Sequence, residues 1–135
     1  MYTDLFDVIT DRLADLGVAN VGTALGGEQP LPSVQPYLAE DKEQQTGTTV
    51  FREIVFAVKV TVGHNDNELA AQAEMLGLLD TVRDGFHGWR PPDCVGIQRG
   101  FRVPAVRLEE FRSGGSTVYL VLLQVRVIPE TFKRT

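Results

Sequence analysis

Thiols and imidazoles are scarce in this chain. It has one cysteine, Cys94, and two histidines, His64 and His87. A single cysteine excludes an internal disulfide and any zinc cluster built on thiolates. Neither histidine has a second metal ligand at a ligating spacing, so both read as surface residues near turns. Positive charge is also short. The net charge of −5 argues against a freely basic nucleic-acid binder. No apolar run is long enough to span a bilayer. A secretory leader is not expected, because Met1 to Leu16 carries Asp4, Asp7, Asp11 and Asp15 where such a leader carries positive charge. Synthesis in a reducing cytoplasm fits these absences.

What remains is ordinary globular material. With 135 residues, 43% of them apolar, the chain can build one real core. The strongest periodic signal runs from Val50 to Val62. Val50, Ile54, Phe56, Val58, Val60 and Val62 alternate with a more mixed set, and Arg52 is the one exception. A period of two with one apolar face predicts a strand that buries one side.

Other elements follow from the same patterns. Thr3–Leu16 predicts a helix with Leu5, Phe6, Val8, Ile9, Leu13 and Leu16 on one face, capped by Thr3 and ended by Gly17. Val18–Ala24 predicts a short strand. Residues 26–48 predict a mobile or interface loop. Within it, Leu31–Leu38 forms an edge strand, and the polar run 40–47 a mobile turn. A second helix is expected over Asp66–Phe86, with Asn65 as N-cap and Glu68 completing a capping box. Its stripe of Leu69, Ala73, Leu76, Leu79, Val82 and Phe86 is expected to face the sheet. Arg90–Asp93 reads as a turn. Val95–Arg112 predicts one or two strand segments interrupted at Gly100 and Pro104. Ser113–Ser116 predicts a hairpin loop, and Thr117–Ile128 a central strand greasy on both faces in its first half. The expected fold is α+β, with a mostly antiparallel twisted sheet of about four to five strands and two main helices on one face. Residues 1–128 form one domain and 129–135 a C-terminal arm.

The search for chemistry yields little. Asp80 and Asp84 are one helical turn apart, but Arg83 beside them makes an ordinary charged face. Cys94 follows a Pro-Pro turn with no base oriented toward it. Glu109 and Glu110 are adjacent on a strand, so they point to opposite faces. Gly26-Gly27 lacks the lysine and hydroxyl of a phosphate loop. No metal, cofactor or catalytic residue is expected. Charge, however, is uneven: the chain is strongly acidic up to Glu68 and slightly basic after it. Arg99, Arg102, Arg107, Arg112 and Arg126 form the notable cluster, and the first four are the expected interface residues. Against them stand Asp41 and Glu43, expected to meet the arginines across a boundary between copies.

The order of elements resembles the small tail-terminator or tail-completion proteins of long-tailed bacteriophages, including minor tail proteins of Mu-like prophages. The carrying residues are Phe56-Ala-Val-Lys-Val-Thr-Val62, Glu68 to Asp84, and Tyr119 to Ile128. The acidic run 40–47 and the segment after Ile128 fall outside the resemblance. The resemblance implies a virion protein made in the host cytoplasm. It would form a ring, usually of six copies, that caps the tail tube and meets the head-side connector. Its partners would then be copies of itself, the tube protein and the connector, with DNA only as passing cargo. Two alternatives remain: a head–tail connector or stopper, and a small α+β enzyme or ligand-binding domain using Asp80, Asp84 or His64.

Overall fold

The computed structural model describes residues 1–18, 21–22, 31–63, 68–111 and 115–135. In chain order these form α1 (Tyr2–Asp15), β1 (Ser33–Thr46), β2 (Thr49–Gly63), α2 (Glu68–Phe86), β3 (Cys94–Val95), β4 (Ile97–Phe111), β5 (Ser116–Val127) and β6 (Lys133–Arg134). The main sheet has four strands in the order β1-β2-β5-β4, and β3 pairs with β6 in a second, two-stranded sheet. Every pairing of the main sheet is antiparallel. The expected α+β architecture is therefore present.

The alternation in β2 does what a period of two demands. Ile54, Phe56, Val58, Val60 and Val62 are buried, and they share one apolar cluster with Val121, Leu123, Val125 and Val127 of β5. The same cluster takes in Leu5, Val8, Ile9 and Leu13 of α1 and Ala71, Met75, Leu79, Val82 and Phe86 of α2. Both helices thus pack on one face of the sheet. Ala57, Val118 and Leu120 are buried too, but they lie outside this cluster, on the other face.

Helix α1 starts one residue before the expected cap. Met1 holds the N-cap position without a side-chain hydrogen bond, and Thr3 falls in the first turn. The helix ends at Gly17, whose φ of +79° lets the chain turn back. In α2 the buried stripe is out of phase with expectation. Leu79, Val82 and Phe86 face the core as predicted, but Ala71 and Met75 precede them, while Ala73 is exposed. Leu69 and Leu76 are 79% and 52% exposed. The first half of α2 is apolar around most of its girth, so two stripes converge on Leu79, and packing against β4 and β5 selects one. Asn65 and Asp66 lie outside the described residues.

The polar run 40–47 is not a mobile turn. β1 continues through it to Thr46, paired with β2 down to Thr46↔Thr49. Gly47, with φ of +63°, opens the two-residue turn that joins them, as primed hairpin turns require. The strand is polar because it is an edge with water on both sides. Of the predicted strand Val18–Ala24, Val21 makes a parallel bridge to Val34; residues 19–20 and 23–24 lie outside the description.

β4 runs through Gly100 and Pro104 as one strand, with register shifts between Arg99 and Arg102 and between Arg102 and Ala105. Pro104 is tolerated because β4 is the other edge. Phe101, fully buried, is the anchor of this half. It stacks on Trp89 at 5.8 Å between ring centroids and meets Phe86 edge-on at 5.7 Å.

The segment expected as an arm lies against the body. Phe132 packs on the core cluster, and Lys133–Arg134 pair with Cys94–Val95. The Arg134 guanidinium donates to Asp93 Oδ2 and Asp11 Oδ2, each at 2.7 Å. Gly96, with φ of +78°, passes so close to Phe132 that a Cβ there would lie 2.4 Å from the Phe132 nitrogen.

Candidate functional site

The pairing registers sort the charged residues by face. On the face away from the helices, Glu40 lies beside Val55, Lys42 beside Glu53, and Glu53 beside Arg126. Arg99, Arg102 and Arg107 pair with Arg126, Gln124 and Leu120, so they belong to the same helix-free face. Asp41 and Glu43 alternate with Glu40 and Lys42, and therefore belong to the helix side. The expected acid and base groups thus sit at opposite edges and on opposite faces of the sheet, and one copy cannot join them.

Asp41 and Glu43 already have a partner within the chain. Arg52 Nε donates to Asp41 Oδ1 at 2.9 Å, and Arg52 Nη1 is 3.6 Å from Glu43 Oε1. The Tyr2 hydroxyl also donates to Asp41, which fastens the start of α1 to β1. Arg52 is the residue that broke the apolar alternation of β2, and this ion pair is the reason for it. Arg99 lies 3.6 Å from Glu53. Arg102 and Arg107 are exposed, and among the described residues no carboxylate pairs with either. Arg112 lies outside the described residues.

Glu53 is the hub of the helix-free face. It accepts from Arg126 Nε at 3.0 Å and from Gln124 Nε2 at 2.8 Å. The Arg126 hydrogen bond, opposed by burial and helped by the charges of Arg126 and Arg99, holds the Glu53 carboxyl below its ordinary value of 4.5. A carboxyl depressed in the folded state adds stability above its unfolded value, and that stability is lost as pH falls through the folded one. Glu53→Gln is therefore expected to destabilise the protein at neutral pH. The gap in urea midpoint between the variant and the parent should be smaller at pH 3 than at pH 7. An equal gap at both pH values would show that Glu53 does not titrate against its arginines.

The chemical candidates are not brought together. Asp80 and Asp84 are exposed on α2, with Asp84 Oδ1 3.2 Å from Arg83. His87 Nδ1 accepts from the Val103 amide at 3.1 Å, so it braces β4. Burial, then the charge of Asp93, pushes the Cys94 thiol up to about 11, which keeps it protonated at neutral pH. His64 lies outside the described residues. Among the described residues no three histidine, cysteine, aspartate or glutamate side chains converge on a metal position.

An apolar groove that the sequence patterns did not reveal lies between α2 and the β4–β5 pair. Met75, Leu76, Leu108, Phe111 and Tyr119 line it, and it encloses about 230 Å³. Leu76, Leu108 and Phe111 are each more than half exposed. The one signal for it was Leu76, which helical spacing assigned to the core. Exposed apolar groups that gather around a groove mark a surface for a partner.

No family model matches the chain, and no curated protein matches it. Among solved structures it is similar to a chain of the "Virion of native gene transfer agent (GTA) particle". The TM-score is 0.58 at 17% identity, covering 88% of this chain and 90% of that one. The likeness spans nearly the whole of both chains, and what they share is the fold.

Proposed function

We propose that this chain is a structural virion protein of the tail-terminator type. Copies form a ring that closes the end of the tail tube and presents a surface to the head-side connector. It turns over no substrate and carries no cofactor. The observation that carries this reading is the near full-length fold likeness to a chain of a gene transfer agent virion. The exposed apolar groove supports it, since a ring must bury a patch on each copy. The asymmetry of the two sheet edges also supports it, because head-to-tail contacts need two different patches.

The test is to image the purified protein by negative-stain electron microscopy and weigh it by mass photometry, alone and with isolated tail tubes. Rings, seated on tube ends when tubes are present, are expected. A protein that stays monomeric in both settings would overturn the reading. Binding to filled heads but not to tubes would point instead to a connector or stopper. Leu108→Asp is expected to abolish rings while shifting monomer stability by no more than about 0.5 kcal/mol, because Leu108 is 53% exposed. Wild-type ring yield from this variant would remove the groove from the interface.

A further inference from the structure

We infer that neighbouring copies join edge to edge: the outer rim of β4 in one copy pairs antiparallel with the outer rim of β1 in the next, setting Arg107 of one beside Glu40 of the other. This rests on the ring reading above and specifies its contact.

The edges themselves make the first argument. β1 and β4 flank the sheet, and each is covered along only part of its rim by described residues. On β1, the Gly22 amide donates to the Val34 carbonyl at 3.0 Å. On β4, Trp89 O accepts from the Phe101 amide at 2.8 Å, Gly88 N donates to Phe101 O at 2.8 Å, and His87 takes the Val103 amide. Beyond these points lie Glu40–Thr46 on β1 and Ala105–Glu109 on β4. Among the described residues nothing pairs with the outer side of either stretch. The devices that normally blunt an edge stand before each stretch: Pro36 and the bulge at Leu38/Glu40 on β1, Pro104 on β4. Neither open stretch contains a proline.

Direction makes the second. In a four-stranded, fully antiparallel sheet the two edge strands run in opposite senses. Rotation about an axis along the strands then brings the next copy's β1 antiparallel to β4. The same operation repeats from copy to copy and can close. A sheet with edges of one sense would offer parallel neighbours instead.

Charge and face fix the register. A continuous sheet keeps its faces in line, so Arg107 must meet a residue of the helix-free face: Glu40, Lys42 or Gln44. Lys42 would repel it. Glu40 attracts it, and the Glu40 side chain, 50% exposed and 3.2 Å from Lys42, has a side open to a second cation. Within one copy Arg107 lies level with Gln35, through Leu120 and Lys59. Moving from Gln35 to Glu40 past the bulge displaces the neighbour by about four positions, or ~13 Å, across a four-strand width of ~19 Å. That corresponds to a strand tilt of about 35°, as closed barrels adopt. The arginine cluster thus finds its acid in Glu40, since Asp41 and Glu43 face the other way and are held by Arg52.

The test places cysteines at the inferred contact. Glu40→Cys and Arg107→Cys are combined in a Cys94→Ser background and treated with a short bismaleimide after assembly. The two positions lie at opposite edges of one copy, so only neighbours can be bridged. A ladder of covalent multimers is expected, with each single variant giving none. Hydrogen exchange on the unmodified protein provides the second measurement: amides in 40–43 and 105–108 should exchange at least tenfold more slowly in rings than in monomers. Arg107→Glu should abolish rings at physiological salt, and Glu40→Arg in the same chain should restore them. Rings without a ladder and without added protection overturn edge pairing and leave the ring reading intact. A chain that forms no rings, alone or on tubes, overturns both.

Discussion

Phe101→Ala is expected to cost about 3–5 kcal/mol of folding stability, a large part of what a domain of this size possesses. The ring is fully buried, stacked on Trp89 and edge-on to Phe86, and Phe86 is itself fully buried. Removing it leaves a cavity whose walls are held on three sides. Phe86 belongs to α2, Trp89 to the turn after it, and the Phe101 backbone is pinned to that turn by two hydrogen bonds of 2.8 Å. Arg12 also lies over the Trp89 ring, 4.6 Å from its centroid, while donating to the Gly85 carbonyl, which ties the indole to the end of α2. The urea midpoint should fall steeply with the slope unchanged. Phe101→Leu should recover more than half of the loss. Alanine and leucine variants of equal stability would show that the aromatic cluster is not what fastens β4 to α2.

Gly96→Val is expected to rival it, at about 3–5 kcal/mol, by a different route. A β-branched residue at φ of +78° is strained by roughly 1–2 kcal/mol before any contact is counted. Its Cβ would also lie 2.4 Å from the Phe132 nitrogen and 2.5 Å from its Cα, both backbone atoms that cannot rotate away. The chain after Ile128 must then lift. Exposing the partly buried Phe132 forfeits a fraction of the about 1.5–3 kcal/mol that full burial of such a side chain contributes, and the pairing of Lys133–Arg134 with Cys94–Val95 goes with it. Trypsin should cut after Lys133 or Arg134 far faster in the variant than in the parent, and denaturant midpoints should drop. Parental cleavage rates would show that the close approach is not needed to hold the segment down.

The parts of this fold that sequence reveals are those where one side of an element is dry. β5 and α1 each carry an apolar repeat, β2 carries one broken only at Arg52, and each lies where the repeat places it. β1 past Glu40 has no dry side, so its polar run looks like a turn although it is a paired strand. In α2 the trouble was surplus: Leu69, Ala73 and Leu76 extend a valid helical stripe, and nothing local distinguishes it from Ala71 and Met75. That ambiguity also hid the groove, because a leucine assigned to the interior is not sought on the surface. The charged cluster was legible as a cluster only. Which face each arginine takes depends on the register shifts in β4, and those arise where the turn at residues 88–89 crosses the strand. Docking of the last residues depends on Gly96 and on Arg134 reaching two aspartates distant in sequence, and so short a segment carries no periodic signal.

The order β1-β2-β5-β4 has a consequence for biosynthesis. β2 and β4 are not neighbours in the sheet; β5, the last long strand of this domain in chain order, is the wedge that lies between them. Until Val127 has cleared the exit tunnel, the nascent chain holds two helices and a hairpin that supplies only half of the sheet they pack on. Acquisition of the native state thus waits for β5, and a polypeptide stalled before Ser116 would be a client for chaperones.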